Sequence, residues 1–396
     1  MSAGRTETSV MDFNNSIVVA MSGGVDSSVA ALLLAREKAK RNSAQSIIGV
    51  SMQVWDYRKS GGSLSRATCC APSDFDDARR VAGKAGIPYY VMDLEDRFKE
   101  QVIEPFIAQY RAGFTPNPCV ECNRKVKFKE LRARSLMLGC NTVATGHYAR
   151  IVRNGDTFEL RRSVDRVKDQ TYFLFGLTPA DLSSTLFPIG HLTKPEVRAI
   201  AAEAGLASAE KPESQDICFV SGSVADFVRR HSAQADVPEG GKIINVRGEL
   251  LGYHSGVHHF TVGQRKGLGL PGGSDAALYV LEIRAATAEV VVGERAELER
   301  PGLIVTGMNW LVPPPTSSTP LRCIAQLRHR HAGVPVLVTQ EERSTGSDSS
   351  ENSPKTTIRF IAGWAPVSPG QATVLYDIDN ERVLGGGTTS AKELRC

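Results

Sequence analysis

Apolar residues in the first half of the chain alternate between short continuous runs and helically spaced stretches. Residues 16–21, SIVVAM, form a β-branched run that stops at Ser22-Gly23-Gly24, and SSVAALLLAREKAK then takes helical spacing with its charges at the far end. Further strands are predicted in IIGVSMQVW, YYVMDL and NTVATG, and further helices in DFDDARRVAGKAG, QVIEPFIAQYRAG and VKFKELRARSLMLG. Strands that alternate with helices predict an α/β fold with a doubly wound parallel sheet.

The pattern changes at about residue 222, where helical spacing fades and short β-branched runs separated by glycine and proline take over. Strands are predicted in GLIVTGMNWL, CIAQLRHR, KTTIRFIAGW and QATVLYD, and the polar stretch EERSTGSDSSENSPKTT is predicted to be a loop between two of them. The boundaries that follow are 14–221 for an α/β domain, 222–300 for a small β-rich linker domain and 301–396 for a second β-rich domain.

Composition narrows the class of protein. A chain of 396 residues is longer than one hydrophobic core usually accommodates, so more than one domain is expected. Its apolar runs fall short of the roughly 20 residues that span a bilayer, and MSAGRTETSVMDFNN resembles no secretory signal, so we expect a cytoplasmic protein without a membrane partner. The net charge of +4 permits a polyanionic partner without demanding one. Eight cysteines in such a chain favour metal or redox chemistry over a disulfide framework.

The glycine loop SGGVDSS, Ser22 to Ser28, lies where the first strand meets its helix. Glycines there let the backbone approach an anion, and the N–H groups of the loop and helix start point at phosphate. The loop lacks the Gly-Lys-Ser/Thr ending of a Walker loop and is not the G-x-G-x-x-G of dinucleotide folds. Asp26 argues against a mere tight turn, because an acid in an anion cradle is unfavourable unless Mg²⁺ bridges it to the phosphates.

Ser-Gly-Gly-x-Asp-Ser after a first strand resembles the pyrophosphate loop (PP-loop) of the ATP pyrophosphatase superfamily, whose members transfer AMP to a substrate oxygen. Six further fragments occur in order: TPNPCVECNRKVKF, ATGHYAR, KDQTYFLFGL, KPESQDICFV, GVHHFTVGQRKGLG and SPGQATVLY. Together they resemble the bacterial tRNA-specific 2-thiouridylases of the MnmA type. That resemblance implies an adenine nucleotide alpha hydrolase-like catalytic domain, a C-terminal β-barrel-like domain that contacts tRNA, and ATP-dependent 2-thiolation of the wobble uridine.

The resemblance also implies roles for three thiols. Cys122 matches the family's nucleophile, and Cys218 matches the cysteine that carries a persulfide sulfur, delivered by a carrier protein or a cysteine desulfurase. A disulfide between them would be the by-product, because the second thiolate can release sulfur from the first. Cys119 stands where several members have aspartate. It could shuttle a proton, or it could join the other two in an iron–sulfur cluster. A structural zinc site or inert thiols remain as a further alternative, and the role of Cys69 and Cys70 stays open.

Nucleotide and tRNA contacts follow from the same resemblance. The positions that match the ATP site are Ala20, Met21, Ser22, Gly23, Gly24, Val25, Asp26, Ser27, Met52 and Gly146. The positions that match tRNA contacts are Asn117, Pro118, Cys119, His147, Lys168, Asp169, Gln170, His329, Arg330 and Gln371. A methionine suits an adenine face, a lysine suits a phosphate, and the target base should be splayed out into the site.

Two other functions remain open at this point. A pyrophosphate-loop ligase that adenylates a small metabolite would need neither the thiols nor a basic β-rich region. A noncatalytic RNA-binding protein with a metal centre would leave the SGGVDSS loop without a use.

Overall fold

The computed structural model describes residues 16–55, 72–212, 217–220, 222–232, 240–270, 277–341, 354–363 and 365–391. Cys69, Cys70 and Cys396 lie outside these ranges, as does most of the predicted polar loop, residues 342–353. Among the described residues, no helix combines the length and the apolar character that crossing a bilayer requires. The chain packs as two compact units, one drawn from Met1–Val102, Cys119–Phe219 and Glu381–Val383, the other from Ile103–Pro118, Val220–Asn380 and Leu384–Cys396. The three predicted domain boundaries stay a prediction.

A five-stranded parallel sheet forms the centre of the first unit, with strand order β3-β2-β1-β4-β7. Its strands are β1 (Ile17–Ala20), β2 (Ile47–Gln53), β3 (Tyr89–Asp93), β4 (Thr142–Ala144) and β7 (Thr185–Leu186). The helices of the whole chain are α1 (Val25–Lys40), α2 (Pro72–Ala85), α3 (Glu95–Phe98), α4 (Glu104–Arg111), α5 (Pro118–Glu121), α6 (Leu131–Met137), α7 (Pro179–Leu182), α8 (Lys194–Glu203) and α9 (Val224–His231). The predicted α/β class with a doubly wound parallel sheet is confirmed.

Helices cover both faces of this sheet through the apolar positions read from the sequence. On one face, α1 buries Val29, Ala30 and Leu34 against the sheet and against α2 and α8. On the other face, Leu131 of α6 packs with Val50 and its neighbours in one buried cluster. The helix that ends in α6 begins earlier than predicted, because a π-helical segment, Cys122–Glu130, leads directly into it.

A β-hairpin, β5 (Ala149–Asn154) and β6 (Thr157–Arg162), follows β4 and was not predicted. Its two turn residues are Gly155 and Asp156, and Gly155 takes a φ of 60°. Glycine at the first position of a two-residue turn between two β-capable runs is a hairpin signal.

The second unit holds the β-rich half of the chain. A four-stranded sheet, order β10-β11-β8-β9, precedes a closed barrel, order β13-β16-β15-β14-β18-β19. The strands are β8 (Gly241–Asn245), β9 (Leu250–His254), β10 (Tyr279–Arg284), β11 (Glu289–Gly293), β12 (Glu299–Arg300), β13 (Gly302–Trp310), β14 (Leu321–Gln326), β15 (Val334–Gln340), β16 (Thr356–Phe360), β17 (Ala365–Pro366), β18 (Ala372–Tyr376) and β19 (Val383–Thr389). The barrel encloses alternate residues such as Val336, Val338 and Ile358. The predicted C-terminal barrel is therefore confirmed, while α9 is a helix in a region predicted as β-rich.

Candidate functional site

The residues predicted to bind the nucleotide lie at the carboxyl edge of the parallel sheet. The chain runs from β1 outward to β2 and β3 and then returns to place β4 on the other side of β1. Parallel sheets bind ligands in the crevice where the strand order reverses in this way. The loop after β1, Ser22 to Gly24, and Gly146 after β4 meet at this point. Met52 lies near the same end of β2, partly buried beside Met92 of β3.

The glycine loop is held in shape by its own serines. Ser22 donates its backbone N–H to Ser27 Oγ at 3.0 Å, and the two hydroxyls lie 3.1 Å apart. Ser28 donates its hydroxyl to the carbonyl of Gly24 at 2.8 Å. Gly24 caps α1 without a side-chain hydrogen bond. The start of α1 therefore presents backbone N–H groups and the positive end of its dipole at the crevice.

Glycine is required at two positions around the loop. Gly23 takes a φ of +72°, and a Cβ atom there would lie 2.3 Å from the carbonyl oxygen of Asp74. A Cβ atom on Gly146 would lie 2.6 Å from the backbone nitrogen of Ser27. Gly146 thus allows the end of β4 to lie against the loop, which is a packing reason for a residue first identified by resemblance.

Asp26 has two partners that the sequence did not reveal. Lys194, at the start of α8, places its ammonium 2.8 and 2.9 Å from the two carboxylate oxygens, and Tyr148 donates its hydroxyl to Oδ1 at 2.9 Å. The Lys194 side chain is only 9% exposed. An acid in the anion loop is thus balanced by a buried lysine. The only signal in the sequence was a lysine in the first turn of a helix, where the dipole disfavours positive charge.

Cys119 and Cys122 are partly buried and lie where α5 passes into the π-helical segment. The combined helix that starts there runs toward the amino end of β4, so its first residues lie near the carboxyl edge of the sheet. Asn123, next to Cys122, is buried and donates its amide to the carbonyl of Phe173 at 3.0 Å. This contact fixes the start of the helix.

Cys218 is also partly buried, and the residue after it anchors its segment. The Phe219 ring packs edge-on against Phe98 at 5.5 Å between centroids and lies 6.5 Å from the ring of Trp55. Phe98 ends α3, which follows β3, and Trp55 follows β2. Because α3 also contacts the Cys122–Glu130 segment, both cysteine-bearing segments pack on one short helix at the carboxyl edge.

The other described cysteines lie away from this edge. Burial raises the pKa of Cys140 above its ordinary value and that of Cys323, inside the barrel, to about 12. Thiols of that kind are poor nucleophiles. Across the part of the chain that the structure describes, no three His, Cys, Asp or Glu side chains are grouped to hold one metal ion. Cys119, Cys122 and Cys218 therefore do not form a ready-made three-thiol site.

Five predicted tRNA contacts lie in the first unit: Cys119, described above, and His147, Lys168, Asp169 and Gln170. His147 is 8% exposed between the rings of Phe128 and Phe187, and burial, with the charge of Lys127, lowers its pKa well below the ordinary value. Asp169 is buried and accepts from Arg162 at 3.0 Å, and Gln170 accepts from the backbone N–H of Tyr148 at 2.9 Å. Lys168 is partly exposed. Their contact with tRNA stays a prediction, and the chain of contacts from Gln170 through Tyr148 reaches Asp26.

The remaining predicted contacts lie in the second unit. Asn117 is partly buried and Pro118 is buried at the start of α5. His329 and Arg330 are exposed after β14, and Arg330 takes a φ of 64°. Gln371 donates its amide to the carbonyl of Thr115 at 2.9 Å, which links the barrel to the segment that precedes the cysteines.

Lys211 is a further residue that sequence reasoning missed, although it begins the KPESQDICFV fragment. Its ammonium pairs with the carboxylates of Asp74 and Asp77 in α2, the latter at 2.9 Å, and lies 3.4 Å from the carbonyl oxygen of Gly23. Burial by itself would lower the pKa of Lys211, but the hydrogen bonds and opposite charges of the two carboxylates together raise it.

Known proteins resemble the chain along nearly its whole length. The family model described as tRNA methyl transferase HUP domain matches residues 15–222. Models for a tRNA methyl transferase PRC-barrel domain and an aminomethyltransferase beta-barrel domain match 225–294 and 300–389. The tRNA-specific 2-thiouridylase MnmA of Geotalea uraniireducens is 44% identical over 94% of this chain and 94% of its own length. The chain belongs to the MnmA family of tRNA-specific 2-thiouridylases.

Other relatives agree with this assignment. The MnmA protein of Koribacter versatilis is 43% identical over 95% of this chain and 99% of its own length. A solved structure of the U34-tRNA thiolase NcsA from Methanococcus maripaludis with its [4Fe-4S] cluster covers 53% of this chain and 63% of that chain at 19% identity. The TM-score of this match is 0.35. Membership of the MnmA family therefore rests on the sequence relatives, and it confirms the resemblance first seen in the motifs.

Proposed function

We propose that this protein is an ATP-dependent tRNA sulfurtransferase that replaces the 2-oxygen of the wobble uridine by sulfur. The observation that carries the proposal is the common position of three features at the carboxyl edge of one sheet: the glycine loop, the Cys122 helix start and the Cys218 segment. Membership of the MnmA family supports the same reaction. We propose the cytoplasm as its location, because its proposed substrates are tRNA and ATP.

The first proposed step transfers AMP to the base. ATP lies with its phosphates on the loop of Ser22 to Ser27, and its adenine lies between Met52 and Gly146. The uridine O2 attacks the α-phosphorus, pyrophosphate leaves, and O2 becomes part of a good leaving group. The loop N–H groups and serine hydroxyls bind the phosphate oxygens, which accounts for much of the rate. Mg²⁺, when bound, would neutralise phosphate charge, and Asp26 offers the hard carboxylate oxygen that this ion prefers.

The second proposed step delivers sulfur. The terminal sulfur of a Cys218 persulfide attacks C2 of the adenylated uridine, and AMP departs with the oxygen. The Cys122 thiolate then attacks the Cys218 sulfur and breaks the sulfur–sulfur bond, so that sulfur remains on C2 and a Cys122–Cys218 disulfide forms. A cellular thiol reductant resets the disulfide, and a carrier protein or desulfurase reloads Cys218 with persulfide sulfur.

The role proposed for Cys119 is to assist Cys122 by moving a proton. The alternative, a cluster held by Cys119, Cys122 and Cys218, would need the three sulfurs close together, and the described residues offer no such group. The persulfide route needs only two thiols that can meet. We therefore favour it over the cluster.

Binding of tRNA is proposed to involve both units. His147, Lys168, Asp169 and Gln170 would contact it from the first unit, and the target base would be splayed out toward Asn117 and Pro118. His329, Arg330 and Gln371 would contact it from the second unit.

Reconstitution tests this function. Purified protein, unmodified tRNA, ATP with Mg²⁺ and a persulfide donor should yield 2-thiouridine at the wobble position, read by mass spectrometry of nucleosides, with one AMP and one pyrophosphate for each sulfur inserted. Release of pyrophosphate that needs a small metabolite and no tRNA would instead support the adenylating ligase. Binding of tRNA without any nucleotide turnover would support a noncatalytic RNA-binding protein.

Gly146→Ala should impair nucleotide binding without unfolding the protein. The added methyl group would lie 2.6 Å from the Ser27 nitrogen, so the loop must shift. A displacement of this kind should raise the KM for ATP about tenfold or more, because phosphate contacts depend steeply on position. Initial rates of tRNA-dependent pyrophosphate release at several ATP concentrations measure it.

Gly83→Ala is the matched control. Gly83 lies in α2 with nothing within 4 Å of an added Cβ, so the substitution should leave the KM unchanged and slightly stabilise the helix. Equal KM values in the two variants would contradict the role given to Gly146.

A further inference from the structure

We propose that Lys211 is a positioning residue that holds the Cys218-bearing segment at the nucleotide loop, so that sulfur is delivered where the base is adenylated. This role rests on the proposed function, and Lys211 would serve it without touching either reacting sulfur. The first observation is the position of the ammonium, 3.4 Å from the carbonyl oxygen of Gly23 in the loop and 2.9 Å from Asp77 in α2.

The contacts of Lys211 are built into the fold on both sides. Asp74, its other carboxylate partner, is 5% exposed, and the close approach of its carbonyl oxygen to Gly23 locks α2 against the loop. On the segment's own side, Arg198 of α8 donates to the carbonyl oxygens of Ala209 and Lys211, the latter at 3.4 Å. Backbone and side chain of Lys211 are thus both fixed, as a tether requires.

The segment is anchored again just beyond Cys218. Phe219 is 2% exposed and packs on Phe98 and Trp55, which follow β3 and β2 at the same edge of the sheet. Seven residues of extended chain span at most about 25 Å, so Cys218 cannot lie farther than that from Lys211. An ionic anchor at one end and an aromatic anchor at the other restrict where the persulfide can reach.

Restriction of this kind matters because the transfer step is intramolecular. Sulfur on Cys218 must meet a carbon held at the nucleotide site, and its effective concentration there depends on how the segment is held. Loss of the Lys211 anchor should slow transfer from Cys218 while leaving the chemistry of adenylation in place. A lysine that served only to stabilise the domain would affect both steps together.

The test compares Lys211→Met with Lys84→Met. Lys84 lies in the last turn of α2, the helix that carries Asp74 and Asp77, and donates to the carbonyl of Gly205 at 3.3 Å rather than to that of Gly23. At saturating ATP, single-turnover sulfur transfer from persulfide-loaded Lys211→Met should fall about tenfold or more, with tRNA-dependent pyrophosphate release within about threefold of the parent. Lys84→Met should match the parent in both assays.

Two further variants distinguish a loss of folding from a loss of sulfur transfer. Lys211→Met leaves the buried Asp74 carboxylate without this partner, which could destabilise the fold. The double variant Asp74→Asn/Lys211→Met removes that buried charge, so it should fold and still show the transfer defect. Lys211→Arg keeps the positive charge and should restore transfer in part. Alkylation of Cys218 without substrates, mapped by mass spectrometry and normalised to Cys122 in the same molecule, should be faster in the double variant. Transfer equal to that of Lys84→Met, or an equal loss in both steps, would overturn the inference. A parent protein that makes no 2-thiouridine would instead refute the proposed function.

Discussion

Cys122→Ser and Cys218→Ser should each abolish formation of 2-thiouridine while tRNA binding persists. We expect a loss of about a thousandfold or more in each, because a serine hydroxyl neither carries a persulfide nor attacks one at neutral pH. Single-turnover assays without added thiol, read by nucleoside mass spectrometry, measure this loss. Filter binding or gel shift measures the tRNA affinity.

The two variants should fail differently. Cys122→Ser still carries sulfur on Cys218, so it should trap tRNA as a mixed disulfide-like adduct that dithiothreitol releases as 2-thiouridine. Cys218→Ser should form no adduct. Cys323→Ala is the control, because this thiol lies inside the barrel with a pKa raised to about 12 and should be silent. Full activity in either of the first two variants would remove the persulfide mechanism.

Cys119→Ser separates the remaining alternatives within the same assay. A residue that only moves a proton should slow thiolation about a hundredfold to ten-thousandfold, since general acid–base catalysis typically contributes a factor of that size. A cluster ligand should cost all activity and also iron, which analysis of anaerobically purified protein would detect. Complete loss together with stoichiometric iron and acid-labile sulfide would favour the cluster.

Asp26→Ala should reduce tRNA-dependent pyrophosphate release by about a hundredfold or more. The carboxylate lies in the first turn of α1 between Lys194 and Tyr148, so its removal takes the acceptor from both partners and removes the oxygen proposed for Mg²⁺. The substitution should leave Cys218 persulfide loading unchanged, because that thiol lies on a different segment. Unchanged pyrophosphate release would mean that the loop does not bind the reacting nucleotide.

Lys194→Met gives the complementary result. With the ammonium gone, Asp26 would present its negative charge to the phosphates, and the KM for ATP should rise about tenfold or more. The double variant Asp26→Ala/Lys194→Met should be less impaired than the two single losses combined, with a coupling of about 1–3 kcal/mol. Strict additivity would show that the 2.8 Å ion pair does not act as a unit in nucleotide binding.

Local sequence determined much of this protein. The run before Ser22, the glycines after it and the helical spacing that follows required a strand, a loop and a helix, because side-chain sterics and apolar periodicity act over a few residues. The order of motifs along the chain indicated the MnmA family and with it the C-terminal barrel, and short β-branched runs separated by glycine and proline indicated strands in that region. The hairpin turn at Gly155-Asp156 is a local signal of the same kind, because glycine there takes the positive φ that a tight hairpin requires.

Tertiary structure alone decided which charges face the nucleotide loop. Lys194 lies 168 residues from Asp26 in sequence, and Lys211 lies 188 residues from Gly23. No periodicity links residues so far apart, and a single lysine in a sequence is most often a solvated surface residue. Only the return of the chain to the carboxyl edge of one parallel sheet brings these ammonium groups to the loop. Low exposure then makes each ion pair stronger than it would be in water.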